Sequence, residues 1–278
     1  MFNFSLNLEI LFPKDKFYTG FEMAAKAGFK WIEFWDWRDK DLDRIKRMAE
    51  EFNLGISAIS GDTKYSMVSS VEKEAYFNFL FESIQTAREL GCPYLVVHSD
   101  ALDGWCAKIL NEPLSDAEKS SNVYEMLKRA SVEAEKSGVC LVYEMLNDTV
   151  DHTGYFARSS KNAIDLVRRV NSRYVKTLYD IYHMQIMEGN IIDTICQNPD
   201  VIGYIHVADV PGRFEPGTGE LNYSNIFLAL ERLGYDGFIG FECIAQHSPE
   251  EAIGAICELC SPFVNCESLS VEKRLRIK

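Results

Sequence analysis

The chain has 278 residues, with 29 lysines and arginines against 42 aspartates and glutamates, for a formal net charge of −13. Its 47% apolar and 26% charged residues are those of a globular chain with a sizeable core, which excludes a disordered, collagenous or disulfide-stapled protein. The acidic balance argues against binding to nucleic acid or to an anionic membrane, both of which run on clustered positive charge.

Short apolar runs alternate with longer amphipathic stretches. The start, to Phe12, is apolar but carries Glu9 and no basic leader, so it reads as a first strand over 3–7 and not as a signal peptide. A helix near 17–27 leads to a strand over 31–35, and a helix near 40–52 to a strand over 55–60. Helix 71–91 precedes strand 94–98, and helix 116–137 precedes strand 139–145. Helix 159–170 is followed by strand 175–180, helix 184–197 by strand 201–207, helix 222–233 by strand 238–243, and a last helix covers 249–260. Four of these helices run into a glycine (Gly28, Gly91, Gly138 and Gly234), which takes the left-handed C-cap conformation at little steric cost. No apolar stretch reaches the ~18 residues of a membrane span.

The eight cysteines are scattered, and Cys140 and Cys243 sit inside apolar runs. That is how reduced thiols of a cytoplasmic protein behave. Cys257 and Cys260 form one CxxC within a helical pattern, without a second pair, which favours packing over zinc or redox chemistry.

The fourth strand, Tyr94-Leu95-Val96-Val97, and the fifth, Val139-Cys140-Leu141-Val142, are apolar without alternation. This marks strands covered on both faces, as in a parallel sheet. Eight βα units of roughly 35 residues suit a (β/α)8 barrel. A doubly wound sheet uses the same units, but the turn after its first strand carries a glycine fingerprint, whereas Asn7-Leu8-Glu9-Ile10-Leu11-Phe12 holds no glycine. The expectation is an α/β chain folded as a single (β/α)8 barrel over 1–262, with a charged tail over 263–278.

Function in such a barrel gathers at the C-terminal ends of the strands. The last four strands close alike, on Glu144, Asp180, His206 and Glu242, at spacings of 36, 26 and 36 residues. Side chains from four adjacent strands can therefore converge. Taken singly, Glu144 or Glu242 reads equally well as a carboxylate paired with an arginine, and His206 as a hydrogen-bonded core histidine. Together they point further, because three buried carboxylates repel one another and need a cation or protons. Three oxygens and one imidazole suit a single divalent ion: Mn²⁺, Mg²⁺, Co²⁺ or Zn²⁺.

His183 follows Asp180 by three residues and can bond a substrate oxygen from the start of the next helix. Arg213 lies in the Gly- and Pro-rich loop 209–220, where its planar fork suits a carboxylate or a row of hydroxyls. His98 closes the fourth strand and reads as a packed or substrate-facing histidine more readily than as a ligand of a second metal. Trp31, Trp35, Trp37 and Trp105 read mostly as packing, one or two of them as an apolar wall over a ligand. Glu33 lies between Trp31 and Trp35 and can face either way. No nucleophile elbow is present.

Tyr179-Asp180-Ile181-Tyr182-His183-Met184-Gln185 with Met187-Glu188-Gly189, and Ala208-Asp209 followed by Glu215-Pro216-Gly217-Thr218-Gly219-Glu220-Leu221-Asn222-Tyr223, strongly resemble the hydroxypyruvate isomerases. Those belong to the xylose isomerase-like TIM barrels, with the ketose 3-epimerases, inosose dehydratases and endonuclease IV. The barrel rhythm covers nearly the whole chain; the specific match lies between 174 and 242. The resemblance implies one metal held by Glu144, Asp180, His206 and Glu242, with Glu144 and Glu242 as the acid/base pair. It implies substrate contacts from His183 and Arg213, with His98 and Asn147 beside them. The chain departs from the hydroxypyruvate isomerases at His206, where they usually carry glutamine and the 3-epimerases histidine. It also has Glu144-Met145-Leu146-Asn147 in place of Glu-Pro-x-Asn, and Gly61-Asp62-Thr63-Lys64-Tyr65-Ser66 in place of a Gly-rich loop.

The expected chemistry is proton transfer beside a carbonyl through a cis-enediolate, giving isomerisation or epimerisation of a small carbohydrate or hydroxy-keto acid. An inosose dehydratase-type lyase uses the same parts to eject water. A DNA-repair endonuclease would need a trinuclear metal cluster and a basic face, whereas strand three ends Ala58-Ile59-Ser60-Gly61 without a histidine and the net charge is −13. A non-catalytic sugar-binding barrel sits poorly with an intact ligand set. A homo-oligomer is compatible with the sequence, which sets no copy number.

Overall fold

The structure, a computed structural model, describes residues 2–264; most of the charged tail expected over 263–278 lies outside the described residues. The barrel strands are β1 (Asn3–Asn7), β2 (Trp31–Phe34), β3 (Gly55–Ser60) and β4 (Tyr94–Val97). A two-stranded excursion, β5 (Leu102–Asp103) and β6 (Cys106–Ala107), comes next. The barrel resumes with β7 (Cys140–Glu144), β8 (Val175–Asp180), β9 (Ile202–Val207) and β10 (Phe238–Phe241). The eight long strands close in the order β1-β10-β9-β8-β7-β4-β3-β2, every neighbouring pair parallel. This is the single (β/α)8 TIM barrel expected from the rhythm of the sequence.

Local chemistry sets the helix ends. Helix Asp116–Ser137 begins with a capping box in which Ser115 and Glu118 satisfy each other's backbone N–H, and it stops at Gly138 in the left-handed region, φ 70°. The expected helix 184–197 is two helices, Ile181–Met187 and Ile191–Gln197. Gly189 and Asn190 take φ of 65° and 51° between them, a conformation no continuous helix accommodates. The β5–β6 hairpin, turning at Gly104, and a short helix over Leu8–Leu11 are absent from the sequence reading.

The main core lies between barrel and helices, where residues such as Leu6, Phe21, Ile32, Tyr143, Ile205 and Phe227 are buried. Phe263 joins it against Phe2 and Phe227. A second cluster fills the lower barrel interior: Ala58, Val96, Val142, Leu178, Tyr204 and Phe238, with Trp31 and Tyr94 against it. Tyr204 stacks on Phe238 at 5.8 Å and 11°, and Tyr94 meets both edge-on. The seven cysteines of the described residues are free, with Cys257 and Cys260 buried. No helix of the described residues is long and apolar enough to cross a membrane.

Candidate active site

Parallel register brings four side chains to one level above this aromatic layer. Glu144 and Asp180 end β7 and β8, His206 is the penultimate residue of β9, and Glu242 follows β10. His206 pairs in register with Asp180 on one side and Gly240 on the other. All four are buried, at most 4% exposed, and their potential ligand atoms lie within 4.8 Å of one another. His206 Nδ1 stands 3.2 Å from Glu144, 3.6 Å from Glu242 and 3.9 Å from Asp180. Burial alone lowers the basicity of an imidazole. Here the charges of Glu242 and Glu33 and hydrogen bonds to Glu144 and Glu33 outweigh burial and hold His206 well above its ordinary pKa. Burial raises Asp180 to about 7, opposed by Arg213 and His206. The crowd of carboxylates thus gathers positive charge wherever it can.

Each member is held from behind. The Glu33 carboxylate points into the barrel, buried, and accepts from Tyr204 Oη at 2.7 Å and from His206 Nε2 at 3.3 Å. Its Oε1 has no partner. The space it occupies exists because residue 240 is glycine: a Cβ there would overlap Glu33 Oε1. His98 bridges two carboxylates, with Nδ1 2.8 Å from Asp62 and Nε2 3.0 Å from Glu144. Burial pulls its pKa down, but the two carboxylates lift it to about 10. Asp62 is itself fixed by the His98 backbone N–H at 2.7 Å and by Tyr76 Oη at 2.6 Å. Burial penalises the Glu144 carboxylate, yet hydrogen bonds from His206 and His98 hold its pKa well below the usual range. Glu242 accepts from Trp35 Nε1 at 2.6 Å, from Asn7 Nδ2 at 3.4 Å and from the Arg213 guanidinium.

Arg213 owes its position to the loop after β9. Its φ is 58°, a left-handed conformation that costs a non-glycine residue on the order of 1–2 kcal/mol. Asp209, fully buried, accepts from the backbone N–H groups of Val210, Gly217, Gly219 and Leu221. The Arg213 backbone is tied to Asp209 O and Ile244 N. The guanidinium lies 5.5 Å from the Trp105 and Tyr182 rings.

Asn147 shapes the turn after β7. Its Oδ1 accepts from Val150 N and Asp151 N, and its Nδ2 lies 2.7 Å from His183 Nδ1. His183 Nδ1, approached by two N–H groups of Asn147, is the acceptor; this assignment places the ring proton on Nε2, 3.8 Å from Asp180. Burial and Arg213 hold His183 well below its ordinary pKa. A cavity of about 360 Å³ opens over the cluster, and Glu144, His206, Glu242, Arg213, His98 and Trp105 are in its wall. Asp180, Asn147 and His183 are not; they stand behind the wall.

The donor set fits a divalent cation. Glu33 accepts from His206 Nε2, which leaves Nδ1, the atom facing three carboxylates, free to ligate once it sheds its proton. A carboxylate on the far nitrogen is the usual support of a metal-bound histidine. Sequence alone leaves the direction of Glu33 open and does not single out Asn7, Asp62 or His152. Asp62 follows the pattern of the quartet, an acidic residue just past the end of an apolar strand, whereas Glu33 lies inside β2.

The profile of the xylose isomerase-like TIM barrel family matches residues 21–260. Hydroxypyruvate isomerase of Escherichia coli (strain K12) is 30% identical over 261 residues, spanning 91% of this chain and 97% of that protein. The crystal structure of an AP endonuclease, family 2, from Brucella melitensis superposes with a TM-score of 0.82 at 28% identity, covering 95% of this chain and 99% of the other. D-allulose 3-epimerase from Methylomonas sp., solved with D-allulose, shares the fold with a TM-score of 0.79 at 19% identity, covering 94% and 96%. The chain belongs to the xylose isomerase-like TIM barrel family, and it is an isomerase.

Proposed function

We propose that the protein is a metal-dependent isomerase or epimerase that moves a proton beside the carbonyl of a small keto sugar or hydroxy-keto acid through a cis-enediolate. One observation carries this reading: Glu144 and Glu242, both in the cavity wall, flank His206 Nδ1 at 3.2 and 3.6 Å within a ring of potential ligands. Glu144, Asp180, His206 and Glu242 would hold one divalent ion. When bound, it would supply positive charge opposite the oxygens that become negative as the proton leaves.

The remaining work falls to the chain. One glutamate takes the proton from the carbon beside the carbonyl and the other group returns one. His98 fixes the orientation of Glu144, and Trp35 and Arg213 fix that of Glu242. Return of the proton to the neighbouring carbon gives isomerisation; return to the opposite face of the same carbon gives epimerisation. Asp180, His183 and Asn147 support the reacting layer, and Arg213, paired with Glu242, lies in the cavity wall.

The test is Glu144→Gln and Glu242→Gln with hydroxypyruvate, ketoses and inosose as substrates in D₂O. Each variant keeps the fold and loses activity by about 10²–10⁴-fold, the usual share of a general acid or base. Near-full activity in either one refutes the assignment. Deuterium incorporation without water loss separates isomerisation and epimerisation from dehydration. An endonuclease role finds little support in a chain of net charge −13.

A further inference from the structure

We propose that His152 is a substrate-binding residue that sets specificity: its imidazole takes a hydroxyl of the substrate beyond the two reacting carbons, so the preferred class is an uncharged keto sugar with a hydroxylated chain. This rests on the isomerase or epimerase reading of the same site and narrows it.

His152 is 3% exposed, and neither ring nitrogen has a hydrogen-bond partner. It belongs to the cavity wall. Its ring packs 5.1 Å from His183, 5.8 Å from Trp105 and 6.4 Å from Tyr155, measured between centroids. Its backbone N–H is bonded to Asn147 O at 3.1 Å, which fixes the turn that carries it. Buried polar side chains are almost always paired, so two orphaned nitrogens on a residue of the cavity wall mark a place where a ligand supplies the partners. His152 stands one ring beyond His183, whose Nε2 is 3.8 Å from Asp180. It is therefore set back from the reacting layer and meets the remote part of a longer substrate.

The chemistry of the wall selects the partner. Burial and Arg213 lower His152 to about pKa 4, so the ring is neutral at pH 7. A neutral imidazole offers one N–H and one lone pair, and a hydroxyl can answer either. A carboxylate or phosphate can answer only the N–H. The cavity is also lined by five carboxylates (Glu33, Asp62, Asp100, Glu144 and Glu242), while its one guanidinium, Arg213, is bonded to Glu242. An anionic tail would meet these carboxylates and a guanidinium already paired with one of them. Trp105 and Trp35 meet edge-to-face at 6.5 Å and give the C–H faces of a sugar chain an apolar surface.

The experiment compares wild type, His152→Leu and His152→Gln, each loaded with Mn²⁺, on hydroxypyruvate and on D-ribulose, D-fructose and D-tagatose. Wild type is expected to show a higher kcat/KM on at least one ketose than on hydroxypyruvate. His152→Leu is expected to lower that ketose value about tenfold or more, mainly through KM, and to leave hydroxypyruvate within about twofold. His152→Gln, with a donor and an acceptor, recovers most of the loss. An equal loss on both substrate types, or no loss on the ketose, overturns the proposal. Titration calorimetry with the same ketoses separates the two readings. Binding that weakens about tenfold in His152→Leu without turnover in any protein sinks the catalytic reading and keeps this one. No ketose binding to wild type sinks this one. Should His152→Leu fail to fold, ¹⁵N-labelled histidine in wild type decides: the His152 ring nitrogens shift on ketose binding, and unmoved resonances overturn the proposal.

Discussion

Replacing Gly240 by alanine tests how the cluster is built. A Cβ on residue 240 would overlap Glu33 Oε1 and lie 2.9 Å from Glu33 Cδ and 3.0 Å from Tyr204 Cε1. The barrel strands on either side cannot yield, so the Glu33 carboxylate must turn away and release Tyr204 Oη, His206 Nε2 or both. Hydrogen bonds to charged groups are worth ~1.5–3 kcal/mol each, which puts the cost at about 2–5 kcal/mol. The lost freedom of the unfolded chain returns ~0.4–1 kcal/mol. At roughly 2–4 °C per kcal/mol for a chain near this size, Tm should fall by about 3–15 °C. Metal affinity should fall by ~10–100-fold, because His206 loses the carboxylate behind it. The assay is urea unfolding followed by fluorescence and circular dichroism in wild type, Gly240→Ala, Glu33→Ala and the double variant. With Glu33 shortened the space is free, so the alanine should then cost under ~0.5 kcal/mol. A Gly240→Ala protein as stable as wild type, or an equal cost in both backgrounds, would refute the packing described.

Other outcomes are specific too. His98 has a folded pKa of about 10 against an ordinary 6.5, so its contribution to stability is complete below pH ~6.5 and is lost as pH rises through 10. Metal-free protein should lose unfolding free energy between about pH 7 and 10 in urea titrations, and His98→Gln should flatten that slope. Asp209→Ala removes the acceptor of four backbone N–H groups; kcat/KM should fall at least tenfold, and limited proteolysis should cut first within 209–220. Chelation should abolish turnover, and Mn²⁺ restored at a hundred times its Kd should add about 2.7 kcal/mol of stability, read as a rise in Tm. An unchanged Tm on adding metal counts against the cluster as an ion site.

The strands were legible because parallel barrel strands are covered on both faces and read as plain apolar runs. The quartet was legible because each run closes on an acidic residue or histidine. The same coverage hid Glu33: with no alternation in Trp31-Ile32-Glu33-Phe34, the sequence carries no sign of which way a side chain points. Asp62, Asn7 and His152 draw much of their meaning from partners far along the chain, as the 36 residues between Asp62 and His98 illustrate, and no local pattern records such a contact. The loop around Arg213 announced itself by glycine and proline. The left-handed turn at Arg213 did not, since arginine has no preference for that conformation. His183 was found by its spacing from Asp180, yet spacing along a helix could not tell that His152 would stand in front of it.

The aromatic layer under the site also decides traffic. Among the described residues, Tyr94, Tyr204 and Phe238, with Trp31 against them, fill the end of the barrel where the strands begin, so substrate and product share the mouth at the opposite end. Whatever is made must leave by the way its precursor came in, and no second molecule can enter until it has gone. For a reaction whose two directions use the same groups, departure and reversal then compete for each turnover, and the equilibrium between substrate and product, more than the machinery, sets which way the flux runs.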